Sequence, residues 1–261
     1  MKNSKLISKK EPERNLLISL KERAGRSSTG SISVRHKGGG VKKLYRIVDF
    51  GQEKINVPGK ILAIEYDPNR TSFLALVDYQ SGEKRYIIAP AGSKEGDQIL
   101  CADSAELKTG NRTKLKTIPV GTEIFNIELV PQMGGKLVRG AGTAAKVVAQ
   151  EGNFTHLELP SGEIRKIPNE CFATIGVVSN TEHTYEILGK AGSNRLKGVR
   201  PRVRGTAMIP PDHPHGGGQG KTSTGFPFPK TPWGKPARGV RTRKNRWTDK
   251  LIIKRRQKKN K

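Results

Sequence analysis

Residues 215–222 read HGGGQGKT, which is close to the phosphate-binding pattern G-x-x-x-x-G-K-[ST]. In that pattern, the backbone amides of a glycine-rich loop and a lysine hold the phosphates of a nucleotide. The chain departs from the pattern because His215 takes the place of the first glycine. No apolar strand precedes the segment, and the prolines and glycine of 224–229 cannot begin the helix that such a site needs. The sequence therefore disfavours a nucleotide hydrolase.

Two histidines, His213 and His215, follow Asp212 in the same segment, and a neutral imidazole can transfer protons near neutral pH. A general base also needs a partner and a closed pocket, which this Pro/Gly-rich segment does not supply. Two histidines at i and i+2 could hold a metal, but no third ligand lies nearby. We therefore expect no catalytic residue, metal or cofactor, and we expect exposed histidines that stack on a base or donate to a phosphate.

Two glycine triplets, at 38–40 and 216–218, each follow a histidine and lie among cationic residues. A backbone without side chains can lie flat against ribose and phosphate and offer its N–H groups. The alternative is that the triplets are flexible hinges. The cations beside them favour close packing on RNA.

Positive charge is concentrated at the two ends of the chain. Of its 261 residues, 49 are Lys or Arg and 23 are Asp or Glu, a formal net charge of +26. Residues 1–60 contain 15 basic and 5 acidic residues, 61–195 contain 15 and 16, and 196–261 contain 19 and 2. A solvated face would alternate in sign, whereas acids are almost absent from the C-terminal part. Both ends are therefore predicted to be arms that bind nucleic acid and are ordered by it.

The C-terminal arm interleaves aromatic and cationic residues. Trp233 and Trp247 lie in a dense series of Arg and Lys, where cations neutralise phosphates and indoles stack on unpaired bases. Alternatively, Trp233, Phe226 and Phe228 anchor the arm on the folded part of the same protein. The arm holds eight of the 16 prolines and nine of the 30 glycines, so no long helix or strand is expected in it.

The nearly neutral middle of the chain has the pattern of short strands separated by turns. Strands are predicted at 60–66, 73–79, 84–88 and 121–129, and a second set at 145–149, 154–159, 163–167 and 171–178. Closing each set into a small barrel removes exposed strand edges. A Ser-Gly-Glu turn recurs at 81–83 and 161–163, which indicates either an internal repeat or two ordinary hairpins. The sequence therefore predicts a mostly β protein with two barrels in tandem.

Composition disfavours several other classes of protein. No run approaches the roughly 20 apolar residues of a membrane-spanning helix, and the first ten residues lack the apolar stretch of a secretory signal. Cys101 and Cys171 lie far apart without a nearby second ligand, which predicts buried thiols in a reducing compartment rather than a disulfide framework or a zinc site. A DNA-binding protein fits the charge, but no recognition helix is visible.

Blocks along nearly the whole chain from Gly25 onward resemble a known family. They are RHKGGG at 35–40, YRIVDF at 45–50, EYDPNR at 65–70, GEKRYI at 82–87, LPSGEIR at 159–165, LGKAG at 188–192, VRGTAM at 203–208, DHPHGGG at 212–218 and TPWG at 231–234. In this order they resemble the universal ribosomal proteins numbered second in the large subunit, the uL2 family. The chain departs from the family pattern with MIPP at 208–211, where Met-Asn-Pro is usual, and with Gln219, where Glu is common.

The resemblance implies an OB-like barrel at 60–125 followed by an SH3-like barrel at 126–195. Long, irregular basic extensions would flank them, at 1–59 and, rich in Pro and Gly, at 196–261. The implied function is that of a structural, primary rRNA-binding protein of the large subunit. It would support subunit association, tRNA binding and RNA-catalysed peptide-bond formation without being the catalyst, with His213 as a candidate supporting residue.

The partners that the resemblance implies are large-subunit rRNA, small-subunit rRNA at an intersubunit bridge, tRNA indirectly, and other ribosomal proteins, with no membrane. The expected location is the cytoplasmic ribosome of a bacterium, or an organellar ribosome if an organelle encodes the chain. Taken together with the charge pattern, the resemblance assigns the following residues to rRNA binding: Arg35, His36, Lys37, Gly38, Gly39, Gly40, Arg70, Arg85, Arg200, Arg202, Arg204, His213, His215, Gly216, Gly217, Gly218, Trp233, Arg238, Arg241, Arg243, Arg246 and Trp247.

Overall fold

The structure is a computed structural model of the chain, and it describes residues 7–8, 11–219, 223–240, 243–244 and 246–256. The chain divides into two compact units. Unit 1 comprises 1–20, 42–187 and 248–261, and unit 2 comprises 21–41 and 188–247. In the ranges described, no helix is both long enough and apolar enough to cross a membrane.

Unit 1 contains a two-stranded ribbon and a four-stranded antiparallel sheet. In the ribbon, β1 (Leu17–Ser19) pairs with β2 (Leu44–Arg46). The sheet has the order β5-β4-β3-β6 and consists of β3 (Gly59–Glu65), β4 (Leu74–Tyr79), β5 (Lys84–Ile88) and β6 (Gln98–Ile99). Ala75 and Val77 of β4 pack in one apolar cluster, and Leu74 and Leu76 pack in a second. Because successive residues of a strand point to opposite faces, both faces of this sheet are covered.

A seven-stranded antiparallel sheet forms the rest of unit 1, with the order β13-β11-β10-β9-β8-β12-β7. Its strands are β7 (Arg112–Lys114), β8 (Glu123–Phe125), β9 (Ala145–Glu151), β10 (Phe154–Glu158), β11 (Ile164–Pro168), β12 (Phe172–Ile175) and β13 (Ile252–Lys254). Its inward-facing residues, among them Ile124, Val147 and Leu157, are fully buried in one cluster, which also contains Leu115 from the turn after β7. The sheets fit an OB-like and an SH3-like barrel, so the mostly β fold class is confirmed.

The strand predictions outside 121–129 are confirmed within one or two residues at most ends. The strand predicted at 121–129 is shorter, because β8 covers only Glu123–Phe125. It also pairs with β9 and β12 and not with the four-stranded sheet, which corrects the expectation that it completes the first set of strands. The physical reason is burial, because Ile124 and Ile127 fill the core of the seven-stranded sheet.

The recurring Ser-Gly-Glu turns have the same hydrogen bonds. The N–H of Gly82 donates to the carbonyl of Tyr79 at 2.8 Å, and the N–H of Gly162 donates to the carbonyl of Leu159 at 2.8 Å. Both turns therefore close hairpins of one type, the first between β4 and β5 and the second between β10 and β11.

A buried ion pair joins two strands of the seven-stranded sheet to the residues that follow a third strand. The guanidinium of Arg112 in β7 donates to the carbonyl of Asn126 at 2.7 Å and to Oε1 of Glu128 at 2.9 Å. Oε2 of Glu128 accepts the amide of Phe172 in β12 at 3.1 Å. Burial lowers the pKa of Arg112, and Glu128 opposes that shift. The pair thereby fixes how β7, β12 and the residues after β8 fit together.

Both cysteines are buried and form no disulfide. Burial raises the pKa of Cys101 to about 11 and that of Cys171 to about 12. Both thiols therefore stay protonated at neutral pH, and the prediction that they are buried is confirmed.

Unit 2 contains α1 (Ala191–Leu196) and little other regular structure among its described residues. Its extended segments meet in isolated antiparallel bridges, Arg26 with Ile32, Lys37 with Val199 and Lys230 with Pro236. In the described part of 196–261, the longest regular element is a five-residue 3₁₀ turn, as the prolines and glycines predict. The C-terminal arm also supplies the three-residue β13, which belongs to unit 1 and pairs there with β11.

Candidate nucleic-acid interface

Unit 2 combines a high positive charge with almost no core. It contains 19 Lys and Arg against two acids, Glu22 and Asp212. Among its described residues, His213 is the one buried side chain. Apolar residues such as Val203, Ile209 and Trp233 are 61%, 61% and 75% exposed. A unit built in this way offers cations and exposed apolar side chains to a partner and not to its own interior.

The two segments of unit 2 are held together by their backbones. The N–H of Gly38 donates to the carbonyl of Gly198 at 2.9 Å, and the N–H of Arg200 donates to the carbonyl of His36 at 3.1 Å. These bonds bring the predicted block at 35–40 beside Arg200. Charges that lie far apart in the sequence therefore share one surface.

The glycine triplets pack against the chain itself. A Cβ added at Gly40 would lie 3.0 Å from the backbone of Gly198, and one added at Gly216 would lie 2.3 Å from the carbonyl oxygen of Ile209. Side chains are thus excluded at both positions by neighbouring backbone. At these two glycines the hinge interpretation is disfavoured, and close packing on RNA stays a prediction.

His213 is 7% exposed and lies inside the 205–217 loop, which corrects the expectation of an exposed ring. A Cβ at Gly205 would lie 2.5 Å from its imidazole, so the ring occupies the space beside that glycine. Its Nδ1 accepts the N–H of His215 at 3.0 Å, and its carbonyl accepts the N–H of Gly216 at 2.8 Å. The nitrogen that a general base would use is therefore engaged in holding the loop.

His215 is partly buried and links the loop to the segment that follows. Its Nε2 accepts the N–H of Lys230 at 2.9 Å. The imidazole centroid lies 4.9 Å from that of His213 and 5.9 Å from that of Phe226. The ammonium of Lys230 lies 3.7 Å from the centre of the Phe226 ring. Phe226 is therefore packed within unit 2.

Trp233 lies at the tip of a turn, 75% exposed. The N–H of Thr231 donates to the carbonyl of Lys235 at 2.7 Å, which closes the turn. The guanidinium of Arg35, from the other segment of unit 2, lies 5.3 Å from the centre of the indole. An arginine beside an exposed indole is an arrangement that can stack on a base and contact a phosphate.

The remaining predicted residues of the arms lie on the surface of the described structure. The exposed residues are Arg200, Arg202, Arg204, Arg238, Arg246, Lys37, Gly39 and Trp247, and His36 and Arg243 are partly exposed. Arg241 lies outside the described residues, as do residues 220–222 of the nominal phosphate-binding loop. Within 223–240 no helix follows that loop. In the ranges described, no group of three or more His, Cys, Asp or Glu could hold a metal ion.

Comparison with protein families identifies the chain. A sequence profile described as Ribosomal Proteins L2, RNA binding N-terminal domain, matches residues 13–101. A second profile, described as Ribosomal Proteins L2, C-terminal domain, matches residues 108–234. The chain belongs to the ribosomal protein L2 family. It is therefore a structural component of the large ribosomal subunit that binds RNA, and its partners are rRNA and other ribosomal components.

Arg85 is a predicted RNA-binding residue that lies in the N-terminal domain of this L2-family chain. Its guanidinium pairs with Glu83 at 2.7 Å, Asp49 at 2.8 Å and Glu53 at 3.1 Å. Hydrogen bonds from Lys54 and then Arg85 hold the pKa of Glu83 below its usual value. Three carboxylates around one guanidinium give Arg85 an intramolecular role, and its contact with rRNA stays a prediction.

Arg70 belongs to a stack of rings and guanidinium groups on unit 1. It forms an ion pair with the buried Asp67, and its guanidinium lies 5.4 Å from the Tyr45 ring and 5.8 Å from the Phe50 ring. The guanidinium of Arg139 lies 4.5 Å from Phe50. The ring of Phe50 therefore lies beside two guanidinium groups, and Asp67 offsets only part of their positive charge.

Arg139 is exposed, and it is not among the residues predicted from the sequence to bind rRNA. The signal in the sequence that could have identified Arg139 is its place in the glycine-rich stretch at 133–142, which contains one other cation. Its contact with Phe50 and a hydrogen bond from Nη1 to the carbonyl of Gly135 at 3.4 Å hold the guanidinium in place, while the exposed side chain leaves other donors accessible. We therefore add Arg139 to the candidate rRNA-binding residues.

Proposed function

We propose that this chain is a primary rRNA-binding protein in which unit 2 neutralises phosphates and the barrels of unit 1 recognise folded RNA. The supporting observation is the charge of unit 2, with 19 basic residues against two acids and one buried side chain among those described. Such a unit repels itself and gains stability from a polyanion. Ordering of the two arms is then coupled to ribosome assembly.

In the assembled ribosome, the protein supports subunit association through small-subunit rRNA and supports tRNA binding indirectly. It also supports peptide-bond formation, which the RNA catalyses. The burial of His213 and the engagement of its Nδ1 favour a positioning role over proton transfer. The ribosome would be that of a bacterium, or of an organelle that encodes the chain.

The salt dependence of binding to large-subunit rRNA tests the electrostatic part of this proposal. The logarithm of the association constant for rRNA should fall linearly with the logarithm of the salt concentration, with a slope of about −0.7 for each single-strand-like phosphate contact. Replacing Arg200, Arg202 and Arg204 together by Gln should make the slope shallower by about 2, because three contacts are removed. Lys108→Gln, which removes an exposed charge already paired with Glu106, is the matched control. A salt-independent affinity would contradict the proposal.

Substitution of His213 by Ala tests the positioning role. Large subunits reconstituted with this variant would be compared with wild type for assembly by sedimentation and for peptidyl transfer. We expect any loss of activity to accompany a loss of assembly or of rRNA affinity. Complete assembly with abolished peptidyl transfer would instead support proton transfer by the protein.

A further inference from the structure

We propose that His213 and His215 act as neutral hydrogen-bond acceptors that position Trp233 and Arg35 for contact with RNA, and that acidification releases this arrangement. The proposal rests on the function proposed above, because it takes RNA as the partner of Trp233. It adds a specific role for each imidazole nitrogen.

The first link is within the 205–217 loop. The ring of His213 fills the space beside Gly205, and its Nδ1 accepts the N–H of His215. The N–H of Gly217 donates to the carbonyl of Met208 at 2.9 Å, which closes the loop. Because the backbone of His215 is held in this way, its side chain leaves the loop in a fixed direction.

The second link joins the loop to the turn that carries Trp233. Nε2 of His215 accepts the N–H of Lys230, and Lys230 pairs with Pro236 across the turn. Trp233 lies at the tip of this turn, beside the guanidinium of Arg35. Two imidazoles therefore connect the buried part of unit 2 to Trp233, an exposed aromatic side chain on the candidate interface.

Each accepting nitrogen must be without a proton, so His213 carries its proton on Nε2 and His215 carries its proton on Nδ1. A second proton would turn each accepting nitrogen into a donor that faces another donor. The charged residues on the packed segments are Arg204 beside Gly205, Asp212 beside His213, and Lys230 over Phe226. Asp212 is an anion and the other two are cations, so the effect of protonation follows mainly from the lost hydrogen bonds.

The direction of the pH effect follows from these bonds. The observed arrangement needs both imidazoles neutral, so it is present at neutral and higher pH and is lost as the pH falls. Acidification is the general way to protonate imidazole side chains, so binding is measured at neutral and at mildly acidic pH. Phosphodiester groups stay ionised across this window, so a fall in affinity would arise in the protein.

Reciprocal substitutions test the assignment of the nitrogens. The side-chain oxygen of Asn can take the place of Nδ1, and that of Gln can take the place of Nε2. We expect His213→Asn and His215→Gln to keep rRNA affinity within about threefold of wild type. His213→Gln and His215→Asn should each weaken it about tenfold, the effect of one lost hydrogen bond. Equal effects of Asn and Gln at both positions would overturn the proposal.

The position of Trp233 can be followed in the full-length protein by NMR. The chain has two tryptophans, so ¹⁵N-labelled protein gives two indole N–H signals, and that of Trp247 serves as the internal reference. We expect the Trp233 signal to shift in His213→Gln and His215→Asn and to stay near its wild-type position in the reciprocal variants. If none of the four substitutions moves the Trp233 signal, the proposed link from His213 and His215 to Trp233 is overturned.

Acidification provides the third measurement. Between pH 7.5 and 5.5 the wild-type affinity should fall about tenfold, whereas the double variant His213→Asn/His215→Gln should change less than threefold. His183→Asn, in unit 1, is the matched control and should keep the wild-type pH profile. These measurements also separate failure of the RNA proposal from failure of the histidine proposal. If RNA is not the partner, Trp233→Ala leaves rRNA affinity unchanged while the histidine variants still move the NMR signal of Trp233. If Trp233→Ala binds rRNA more weakly but wild-type binding does not depend on pH, the proposed link from His213 and His215 to Trp233 is overturned and the RNA proposal stands.

Discussion

Removing Arg112 should destabilise unit 1 more than any surface substitution. Its guanidinium is fully buried, and it donates to Asn126, Thr174 and Glu128 at 2.7, 3.3 and 2.9 Å. Arg112→Met keeps an apolar side chain in place but leaves the carboxylate of Glu128 buried without its cation. Breaking a buried pair in this way costs about 3–5 kcal/mol. A domain is typically stable by about 5–15 kcal/mol, so the variant should lose about a fifth of its stability or more.

The double variant Arg112→Met/Glu128→Gln separates the charge from the packing. The Gln oxygen can still accept the amide of Phe172, and no uncompensated charge remains. We expect a loss of about 1–2 kcal/mol, smaller than that of Arg112→Met alone, because an ion pair replaced by neutral groups often costs little. The assay is urea unfolding followed by far-ultraviolet circular dichroism, which reports the sheets of unit 1. A loss below about 1 kcal/mol in the single variant, or additive losses in the double variant, would refute this account of the pair.

Three further outcomes follow from close packing, stacking and burial. Gly216→Ala should weaken rRNA binding at least tenfold, because its Cβ would lie 2.3 Å from a backbone oxygen. Gly192→Ala, in α1 with open space around it, should leave binding unchanged. Arg139→Ala should weaken binding about tenfold in a filter assay, and Arg139→Lys should restore only part of it, since an ammonium lacks the planar fork. Cys101 and Cys171 should react with a thiol reagent at pH 8 only after unfolding, because burial raises their pKa values to about 11 and 12. Fast labelling of the folded chain would contradict this.

The barrels were largely predictable because their strands carry local signals. The run at 73–79 is apolar at nearly every position, which predicts a strand covered on both faces, and β4 packs in two clusters. The Ser-Gly-Glu turns marked two hairpins that the structure contains. The sheet that β8 joins was not predictable in this way. Its three residues fit either sheet by pattern, and the choice depends on the core that Ile124 enters.

The candidate interface was predictable in its charge and not in its arrangement. Segregation of Lys and Arg to the chain ends identified the arms, because composition needs no knowledge of contacts. The same information could not separate Arg85, which three carboxylates surround, from Arg139, which stacks exposed on Phe50. Both are arginines in a basic chain, and only their neighbours in space differ.

By itself, the sequence determined the strand content, the two hairpins, the cationic arms and the family resemblance, since each depends on residue type, order or short-range period. The tertiary structure alone decided that His213 is buried with its Nδ1 engaged, that the block at 35–40 lies beside 196–200, and that β8 belongs to the larger sheet. The physical reason is that burial and hydrogen-bond partners are properties of segments that meet in space. Gly205 and His213, or Gly40 and Gly198, become neighbours only once the chain has folded.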